Sequence, residues 1–442
     1  MRLSQMAAWL NISIDVDVEI SGVCIDTRQL KPQQLFVAFP GEKVDGHDYV
    51  KMALEKGASA VMVIRQLADV NVPQLVVKDS LQALTTLAQC YRNQLKCKVM
   101  ALTGSNGKTS VKEMLAQIMP QSAFASKGNF NNHLGVPINI LNVPEHCEYA
   151  VFELGANQKG DIALTAGLVK PDVALINNIG PAHLGGFGSI DGVAIAKGEI
   201  YDALQSQGFA IVNDDDAYAH FWDEQLLDVQ VLRYSSEHPA DVWASDIVLL
   251  PSGCYRFQLH AAGQEQTVEL RVPGRHQMQN ALAAAAMASA LSISFAQIAQ
   301  GLMRFTGVGG RLNIMVGHHE ATVIDDTYNA NLASVQAGLE VLAKREGEKI
   351  LVIGDLAELG EFVEAQHAQI GEIARKLGIH KLFAVGQSTP SSVAAFGEGG
   401  YHFPSQEALV AQLRKCLHKQ VNVLVKGSRS SRMEEVVKQI SG

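Results

Sequence analysis

The segment that most constrains this chain runs from Ala101 to Ser110 and reads Ala-Leu-Thr-Gly-Ser-Asn-Gly-Lys-Thr-Ser. The apolar run 99–102 predicts a short buried strand that leads into it, and residues 111–119 predict an amphipathic helix that follows it. Glycines let the connecting loop curl so that several backbone N–H groups point inward, and the helix N-terminus adds positive potential. The segment therefore predicts a phosphate-binding loop.

The same loop carries side chains suited to a nucleotide. Lys108 would reach the outer phosphates, and Thr109 would offer its hydroxyl to Mg²⁺. The general pattern G-x-x-x-x-G-K-[ST] has glycine where Leu102 stands, so an ordinary glycine turn between strand and helix is the alternative. The candidate nucleotide-binding residues of the loop are Thr103, Gly104, Ser105, Asn106, Gly107, Lys108, Thr109 and Ser110.

Length and composition limit the class of protein. A chain of 442 residues is long enough for roughly three domains. The net charge of −9 argues against a nucleic-acid partner. The six cysteines form no C-x-x-C pair, which argues against a zinc knuckle and predicts free thiols in the cytoplasm. The N-terminus lacks a signal-peptide core and the apolar run 281–291 is too short to span a bilayer, so we expect no membrane insertion.

The first third of the chain predicts a small α/β domain. Apolar runs at 23–25, 35–39, 60–64 and 74–77 predict strands, and 48–56 predicts a helix. Ser80 is the expected cap of a following helix. Arg28 could pair with a phosphate, and Asp45 or His47 with a base or sugar. The residues alone favour the alternatives, a solvated turn at Arg28 and a hairpin tip at Asp45.

In the middle third, polar residues follow the predicted strands. Asn131 and Asn132 lie in a polar loop and can both donate and accept hydrogen bonds. Glu153 ends the strand 149–152 beside the phosphate loop, where nucleotide enzymes place a metal ligand. His183 follows the strand 172–176, and the ligand and structural interpretations are evenly balanced.

Two further residues of the middle third stay ambiguous. Lys197 lies in a helix beginning near 191, where a surface lysine is the default interpretation. Asn280 precedes a helix predicted from 281 and is either a cap or a reader of an adenine edge. Residues 229–272 predict short antiparallel strands at the edge of the sheet.

The last third alternates between strand and helix patterns. Strands at 322–325, 349–353, 381–385 and 421–425 alternate with helices at 333–344, 364–377, 406–417 and 433–440, which predicts a doubly wound parallel sheet. Polar clusters at 325–331, 354–360 and 426–429 follow three of these strands, so they would share one edge. The glycines at 307–310 suggest a hinge before this part of the chain.

Several of these segments together resemble the Mur ligase family over nearly the whole chain. The segments that carry the resemblance are Thr103–Thr109, Gly128–Asn132, Phe152–Asn157, Pro273–His276, Asp325–Asn331, Gly354–Asp355 with Glu358–Gly360, and Lys426–Ser428. Within the family, Tyr-Asn-Ala-Asn at 328–331 and Glu-Leu-Gly at 358–360 are typical of the member that adds D-alanyl-D-alanine. Leu332 and Leu356 depart from that pattern, where proline and methionine are usual.

The resemblance implies three domains with separate ligands. A small N-terminal α/β domain, 1–82, would bind the UDP-sugar peptide; a central P-loop domain, 83–308, would bind ATP; and a Rossmann-like domain, 309–442, would bind the incoming dipeptide. It also implies residue roles. Substrate would contact Thr27, Arg28, Asp45, Gly46, His47, Asn131, Asn132, Lys426 and Ser428; ATP would also contact Asn280, Arg311, Asp326, Tyr328 and Asn329; two Mg²⁺ ions would involve Thr109, Glu153, His183 and a carbamylated Lys197.

The implied reaction is ATP-dependent amide formation. A UDP-N-acetylmuramoyl-tripeptide carboxylate would be phosphorylated and then coupled to D-alanyl-D-alanine in the cytoplasm, for peptidoglycan synthesis, by a monomer whose partners are all small molecules. Lys108, His183 and Lys197 would be the catalytic residues. Other amide ligases of the family, folylpolyglutamate synthase among them, and a slow ATP-hydrolysing switch protein remain open. A scaffold protein fits the polar clusters poorly.

Overall fold

Three successive α/β units, each built on its own sheet, make up the chain, as the sequence predicted. The computed structural model describes residues 1–41, 44–181, 184–357 and 360–441. The described residues form sheets of four, nine and six strands. In these ranges no helix is both long and apolar enough to span a membrane.

The first unit is a short parallel sheet with helices beside it. Its strands β1 to β4 are hydrogen-bonded in chain order. The elements are α1 (Leu3–Trp9), β1 (Val23–Cys24), β2 (Leu35–Val37), a 3-10 helix (Gly46–Tyr49), α2 (Val50–Glu55), β3 (Ala60–Val63), β4 (Gln74–Val76) and α3 (Ser80–Gln94).

Two local expectations for this unit were wrong. The cap of α3 is Asp79, whose carboxylate accepts the N–H groups of Leu81 and Gln82. Ser80 is the first helical residue, and its hydroxyl donates to the carbonyl of Ala38 instead. Asp45 caps a 3-10 helix and forms no hairpin tip, because its carboxylate accepts the N–H of His47. In both places an aspartate directly before the helix accepts the free N–H groups of its first turn.

The second unit contains the large sheet, in the order β13-β12-β11-β10-β9-β8-β5-β7-β6. The elements are β5 (Lys98–Thr103), α4 (Lys108–Ile118), β6 (Phe124–Ala125), α5 (Gly135–Leu141), β7 (Tyr149–Glu153), α6 (Asp161–Val169), β8 (Val173–Ile176), α7 (Leu184–Phe187), α8 (Ile190–Asp202), β9 (Phe209–Asn213), β10 (Gln230–Ser235), β11 (Val242–Leu249), β12 (Cys254–Ala261), β13 (Gln264–Pro273), α9 (Arg275–Ala290) and α10 (Phe295–Arg304). α9 begins six residues before its predicted start, so Asn280 is inside the helix and is not its cap.

The antiparallel edge of this sheet is shorter than predicted. β11, β12 and β13 pair antiparallel, as expected. β10 instead pairs in parallel with β9 and β11, so that part of the prediction was wrong. Between β9 and β10, the connection 214–229 is long enough to cross back over the sheet, and such a crossover, unlike a hairpin, returns the chain in the same direction. β10 and β11 pair in parallel only at 234–235 with 242–243.

Alternate residues of β5 face two separate apolar cores. Val99 and Ala101 pack in the core shared with α3 and α8, and Met100 and Leu102 pack in the core shared with α4 and α9. A strand buried on both faces is expected to be apolar throughout. The phosphate loop thus starts from a strand fixed on both sides.

The third unit is a mostly parallel sheet in the order β14-β15-β19-β16-β17-β18. The strands predicted from the sequence pair in parallel. An unpredicted edge strand, β14, runs antiparallel to β15, to which the short connection 317–321 joins it. The elements are β14 (Asn313–Val316), β15 (Thr322–Asp326), α11 (Leu332–Ala343), β16 (Glu348–Ile353), α12 (Val363–Lys376), β17 (Lys381–Val385), α13 (Pro390–Phe396), β18 (Gly400–Phe403), α14 (Gln406–Arg414), β19 (Val421–Lys426) and α15 (Glu434–Ile440), with 3-10 helices at His318–Glu320, Gly360–Phe362 and Arg429–Ser431.

The predicted domain boundaries stay predictions. Helix α3 runs through the one at 82/83, and the chain passes 308/309 just after α10. What matters for function is that the carboxyl ends of β5, β7 and β8 face those of β15 and β19 across one cavity.

Candidate active site

The loop between β5 and α4 is built as a phosphate cradle. Gly104 and Gly107 have φ of +151° and +80°, and α4 begins at Lys108 with no side-chain cap on its first N–H groups. A Cβ on Gly107 would lie 2.3 Å from Asn280 Oδ1, so only glycine fits there. The free N–H groups at this helix start are the expected partners of an anion.

Two asparagines that follow β8 hold the tip of the loop. The Asn106 N–H donates to Asn178 Oδ1 at 2.8 Å, and its carbonyl accepts from Asn177 Nδ2 and Asn178 Nδ2, both at 3.0 Å. Asn177 Nδ2 also donates to Asn280 Oδ1 at 2.9 Å. Sequence reasoning missed this support, although two asparagines directly after a buried strand were a usable signal. Asn280 lines the cavity, but both of its polar atoms are engaged by protein, because its Nδ2 donates to Gln277.

Thr109, Glu153 and Asn131 meet at the floor of the cavity. The Thr109 hydroxyl donates to Glu153 Oε2 at 2.8 Å, and Asn131 Nδ2 donates to Oε1 at 2.9 Å. Glu153 is buried at the end of β7, as the sequence predicted. Among the described residues, no group of three or more His, Cys, Asp or Glu side chains is arranged to hold a metal ion by itself. A hydroxyl plus one carboxylate still fits Mg²⁺, which takes one or two carboxylates and completes its shell with phosphate oxygens and water.

Lys108 curls back over its own loop. Its Nζ donates to the carbonyl of Gly104 at 2.6 Å. Burial lowers the pKa of Lys108 and the nearby Arg311 lowers it further, while Glu153 opposes both. The ammonium is therefore held beside the cradle, and no carboxylate among the described residues is bonded to it.

Lys197 is buried, so the default interpretation of a surface lysine was wrong. Only 3% of its surface is exposed, and it lines the cavity from helix α8. Among the described residues no hydrogen-bond acceptor or carboxylate partner reaches its amine, and the Phe187 ring centroid is 6.0 Å away. Burial lowers its pKa well below the usual value, and Lys108 adds to that shift. The predicted neighbour His183 lies outside the described residues.

Residues of the third unit form the opposite wall. Arg311 donates to Thr109 Oγ1 at 2.9 Å, and its guanidinium carbon lies 4.2 Å from the Tyr328 ring centroid. Lys426 is buried in an ion pair with Asp326 and also donates to the Asn329 carbonyl at 3.1 Å. All five residues line the cavity, so the structure brings them together with the phosphate loop.

Other predicted site residues are placed differently. Asn132 lines the cavity with Asn131, but Ser428 does not, and its hydroxyl donates to the Asp355 carbonyl at 2.7 Å. The first-unit residues Thr27, Arg28, Asp45, Gly46 and His47 all lie outside the cavity lining.

The cluster in the first unit is held by its own hydrogen bonds. Arg28 forms an ion pair with Asp26 at 2.7 Å and leaves its guanidinium mostly exposed. The ring of His47 is engaged at both nitrogens, by Asp45 at 2.6 Å and by the N–H of Ile64 at 3.1 Å. The backbone and ring bonds from His47 lower the pKa of Asp45 to about 2. His47 therefore supports this loop from its buried side, while Arg28 presents an exposed guanidinium, as does Arg65, which pairs with Asp45.

His276 lines the cavity and was absent from the predicted site. It stands in the first turn of α9, close to Lys426 of the third unit. Burial lowers the pKa of His276 to about 4, and Lys426 adds to the shift. At neutral pH the imidazole is uncharged. The run Pro-Gly-Arg-His before a helix was the available signal.

We expect His276 to make the protein less stable in acid. Its folded-state pKa lies below the ordinary value of 6.5, so folding disfavours the proton, and stability falls as pH drops from about 6.5 toward 4. His276→Gln should reduce the loss of Tm between pH 7 and pH 5 by about 2–4 °C, measured by calorimetry. The exposed His146→Gln is the matched control and should leave the pH dependence unchanged. Identical acid slopes for His276→Gln and the parent would contradict the assignment.

The walls described above enclose a cavity of about 610 Å³ between the second and third units. Fold and site together define a three-unit α/β protein with a phosphate loop facing basic side chains of a Rossmann-like sheet. Family models match along the chain: Mur ligase family, catalytic domain, at 19–92; Mur ligase middle domain at 102–288; and Mur ligase, glutamate ligase domain, at 310–429. The chain belongs to the Mur ligase family.

Individual relatives match over nearly full length. UDP-N-acetylmuramoyl-tripeptide–D-alanyl-D-alanine ligase of Escherichia coli strain K12 is 42% identical over 444 residues, covering 99% of this chain and 98% of the relative. MurF from Acinetobacter baumannii superposes with a TM-score of 0.88 at 36% identity, covering 98% of this chain and 97% of that one. MurF ligase from Thermotoga maritima in complex with ADP superposes with a TM-score of 0.80 at 26% identity, covering 95% and 96%.

Proposed function

We propose that this chain is the ATP-dependent ligase that adds D-alanyl-D-alanine to UDP-N-acetylmuramoyl-tripeptide, the last cytoplasmic step toward the peptidoglycan pentapeptide. The observation that carries the proposal is the cavity itself, where Lys108 and the Thr109–Glu153 pair face Arg311 and Lys426. The Escherichia coli relative with this printed name and the MurF structure from Acinetobacter baumannii match nearly the whole chain, so both walls of the cavity belong to the shared fold.

ATP is the nucleotide that the cradle is proposed to hold. The ADP complex of the Thermotoga maritima relative supports an adenine nucleotide. The N–H groups of α4 and the Lys108 ammonium would take the phosphates. Arg311 and Tyr328, stacked on one another, offer a cation and a ring on the other side of the cavity. Lys426 holds Asp326 and Asn329 at that wall. Asn280 supports the cradle through its hydrogen bond with Asn177.

Magnesium is proposed to bind where Thr109 meets Glu153. Both side chains present hard oxygen atoms, the donor type that this ion prefers. When bound, the ion neutralises charge on the phosphates. A second ion near His183 and Lys197 rests on the family resemblance.

Lys197 is proposed to carry a carbamate. The reaction R–NH₂ + CO₂ → R–NH–COO⁻ + H⁺ needs a neutral amine, and burial near Lys108 favours that neutral form. The product is an anion, which would relieve the repulsion between two buried amines in the same cavity. The amine also lacks a hydrogen-bond partner among the described residues, so the added carboxylate would displace no hydrogen bond to any of them.

The proposed mechanism has two steps. The terminal carboxylate of the tripeptide attacks the γ-phosphorus, ADP leaves, and an acyl phosphate forms; Lys108 and the α4 N-terminus neutralise the charge on the transferring group. The amine of D-alanyl-D-alanine then attacks the acyl carbon and phosphate leaves. Water would destroy the intermediate, so the contact between the two walls serves to exclude it.

The remaining proposed substrate contacts are divided between the first unit and the cavity. The UDP end of the substrate is proposed to bind at the exposed Arg28 and the neighbouring Thr27. The adjacent loop of this site is shaped by Asp45, Gly46 and His47. Asn131 and Asn132, at the cavity, are proposed to meet the peptide end, and Lys426 the incoming dipeptide. Ser428 would act through the loop of Asp355, which its hydroxyl holds. We propose that the chain works as a monomer in the cytoplasm.

Phosphate release tests the proposal. With ATP, UDP-N-acetylmuramoyl-tripeptide and D-alanyl-D-alanine, the purified chain should release phosphate and form the pentapeptide product, while free D-alanine or L-alanyl-L-alanine should give little. Phosphate release that does not depend on the added amine would favour a slow ATP-hydrolysing switch protein instead. Release that requires a folate and glutamate would favour a folylpolyglutamate synthase.

A further inference from the structure

Asn331 joins the third unit directly to the phosphate loop. Its Nδ2 donates to Asn106 Oδ1 at 3.0 Å, a bond between residues 225 positions apart in the chain. Asn331 lines the cavity, as do the next residues of α11, Ala333 and Ser334. Together with the contact between Arg311 and Thr109, this bond fixes how the third unit meets the cradle.

The orientation of the Asn331 amide is set by its own helix. Asn331 is the N-cap of α11, and its Oδ1 accepts the N–H of Ser334 at 2.8 Å. The hydroxyl of Ser334 accepts the N–H of Asn331 at 3.0 Å, which completes a capping box. With the oxygen engaged in the cap, only the amide nitrogen of Asn331 can turn toward the phosphate loop.

The hydrogen bond from Asn331 also orients the side-chain amide of Asn106. Its backbone N–H and carbonyl are both held by Asn177 and Asn178, so its main chain is immobilised. Its Oδ1 accepts from Asn331, which places the oxygen toward the third unit. Asn106 lines the cavity, and its Nδ2 has no acceptor among the described protein residues. An amide nitrogen at this position is a donor suited to a phosphate oxygen.

We propose that Asn331 is a positioning residue: its bond to Asn106 docks the third unit on the phosphate loop and turns the Asn106 amide so that its Nδ2 faces the phosphates. The inference rests on the nucleotide use in the proposed function and on no assumption about the amine or the sugar. It assigns to α11 a role in nucleotide binding that acts through Asn106 and needs no contact between Asn331 and the nucleotide.

Substitutions that keep the helix cap isolate this role. Asn331→Ser preserves a capping oxygen but is too short to reach Asn106. We expect its dissociation constant for a non-hydrolysable ATP analogue, measured by calorimetry with the full chain, to rise about three- to tenfold, as for the loss of one hydrogen bond. Asn331→Asp also keeps the cap, but its carboxylate would attract the Asn106 Nδ2 away from the phosphates. The loss of affinity for the analogue should therefore be larger than in Asn331→Ser.

A double-mutant cycle shows whether the effect passes through Asn106. The variant Asn106→Ala plus Asn331→Ser should bind the analogue no more weakly than Asn106→Ala alone. Ser405→Ala is the matched cap control, because Ser405 caps α14 away from the cavity, and it should lower Tm without changing affinity. In small-angle scattering without substrates, Asn331→Ser should show a larger radius of gyration than the parent.

Two results would overturn the inference. Multiplicative losses in the double variant would mean that Asn331 acts independently of Asn106, and unchanged affinity in Asn331→Ser would mean that the bond has no role. Analogue binding needs neither amine nor sugar. If the ligase assay fails while the Asn331 variants lose affinity for the analogue as expected, the proposed function is refuted and the role of Asn331 stands. If the ligase assay succeeds while the Asn331 variants keep parental affinity, only the role of Asn331 is refuted.

Discussion

Lys108→Ala should lower kcat for product formation by about 10³-fold. Lys108 is the first residue of α4, and no carboxylate in the described part of the chain is bonded to its amine, so its charge is free to stabilise the transferring phosphoryl group. A preorganised charge in a partly buried site contributes most where charge develops, so the loss should fall mainly on kcat and less on KM. Single-turnover measurement of phosphate transfer would isolate this step.

The Lys108 prediction needs a control for charge and for folding. Lys376→Ala removes an exposed lysine from the last turn of α12 and should leave kcat unchanged. Lys108→Arg keeps the charge but not the compact ammonium, and it should recover only a small part of the activity. Near-normal turnover of Lys108→Ala, with an unchanged Tm, would contradict the role given to the phosphate loop.

Lys197→Ala should lower kcat by about 10²-fold, the second largest effect we expect. The physical reason is the loss of the anion that carbamylation would create beside the phosphate loop, since the buried amine would otherwise add positive charge next to Lys108. Lys197→Arg should be as inactive as Lys197→Ala, because arginine stays protonated and cannot react with CO₂.

Carbamylation has a readout independent of activity. With ¹³C-labelled bicarbonate, the parent should show a carbamate carbon resonance that Lys197→Arg lacks. Removal of CO₂ from the buffer should lower parental activity reversibly and leave Lys197→Arg unaffected. An active parent with no carbamate resonance would refute the modification, while a normal rate in Lys197→Ala would refute any role of this side chain in the chemistry.

Local sequence patterns predicted the parts of the site that lie next to one another in the chain. The glycines, Lys108 and Thr109 occupy one short turn, whose geometry depends on glycine φ angles and on a helix start. Glu153 was predictable because parallel strands end at a common edge. Its actual partners, Thr109 and Asn131, follow from the same rule once β5 and β7 are neighbours.

Burial and contacts between distant segments could not be predicted in this way. Lys197 has the local sequence of a surface helix, and only the packing of α8 against the sheet reveals that its amine is buried. His276 and Asn331 were each part of a quoted motif, yet their roles depend on the neighbouring unit, at Lys426 and Asn106. The resemblance implied the carbamate proposed for Lys197, but it did not reveal the burial that would favour a neutral amine.

By itself, the sequence determined the class of fold and the phosphate loop, because strand alternation, glycine placement and helix starts are decided by neighbouring residues. The tertiary structure alone decided which side chains face each other across the cavity. It also decided that Lys197 is buried away from water and that the Asn331 amide reaches the phosphate loop. Those properties depend on distances between residues up to 225 positions apart. Local propensity carries no information about such distances, because they are set by how whole sheets pack and how the units dock.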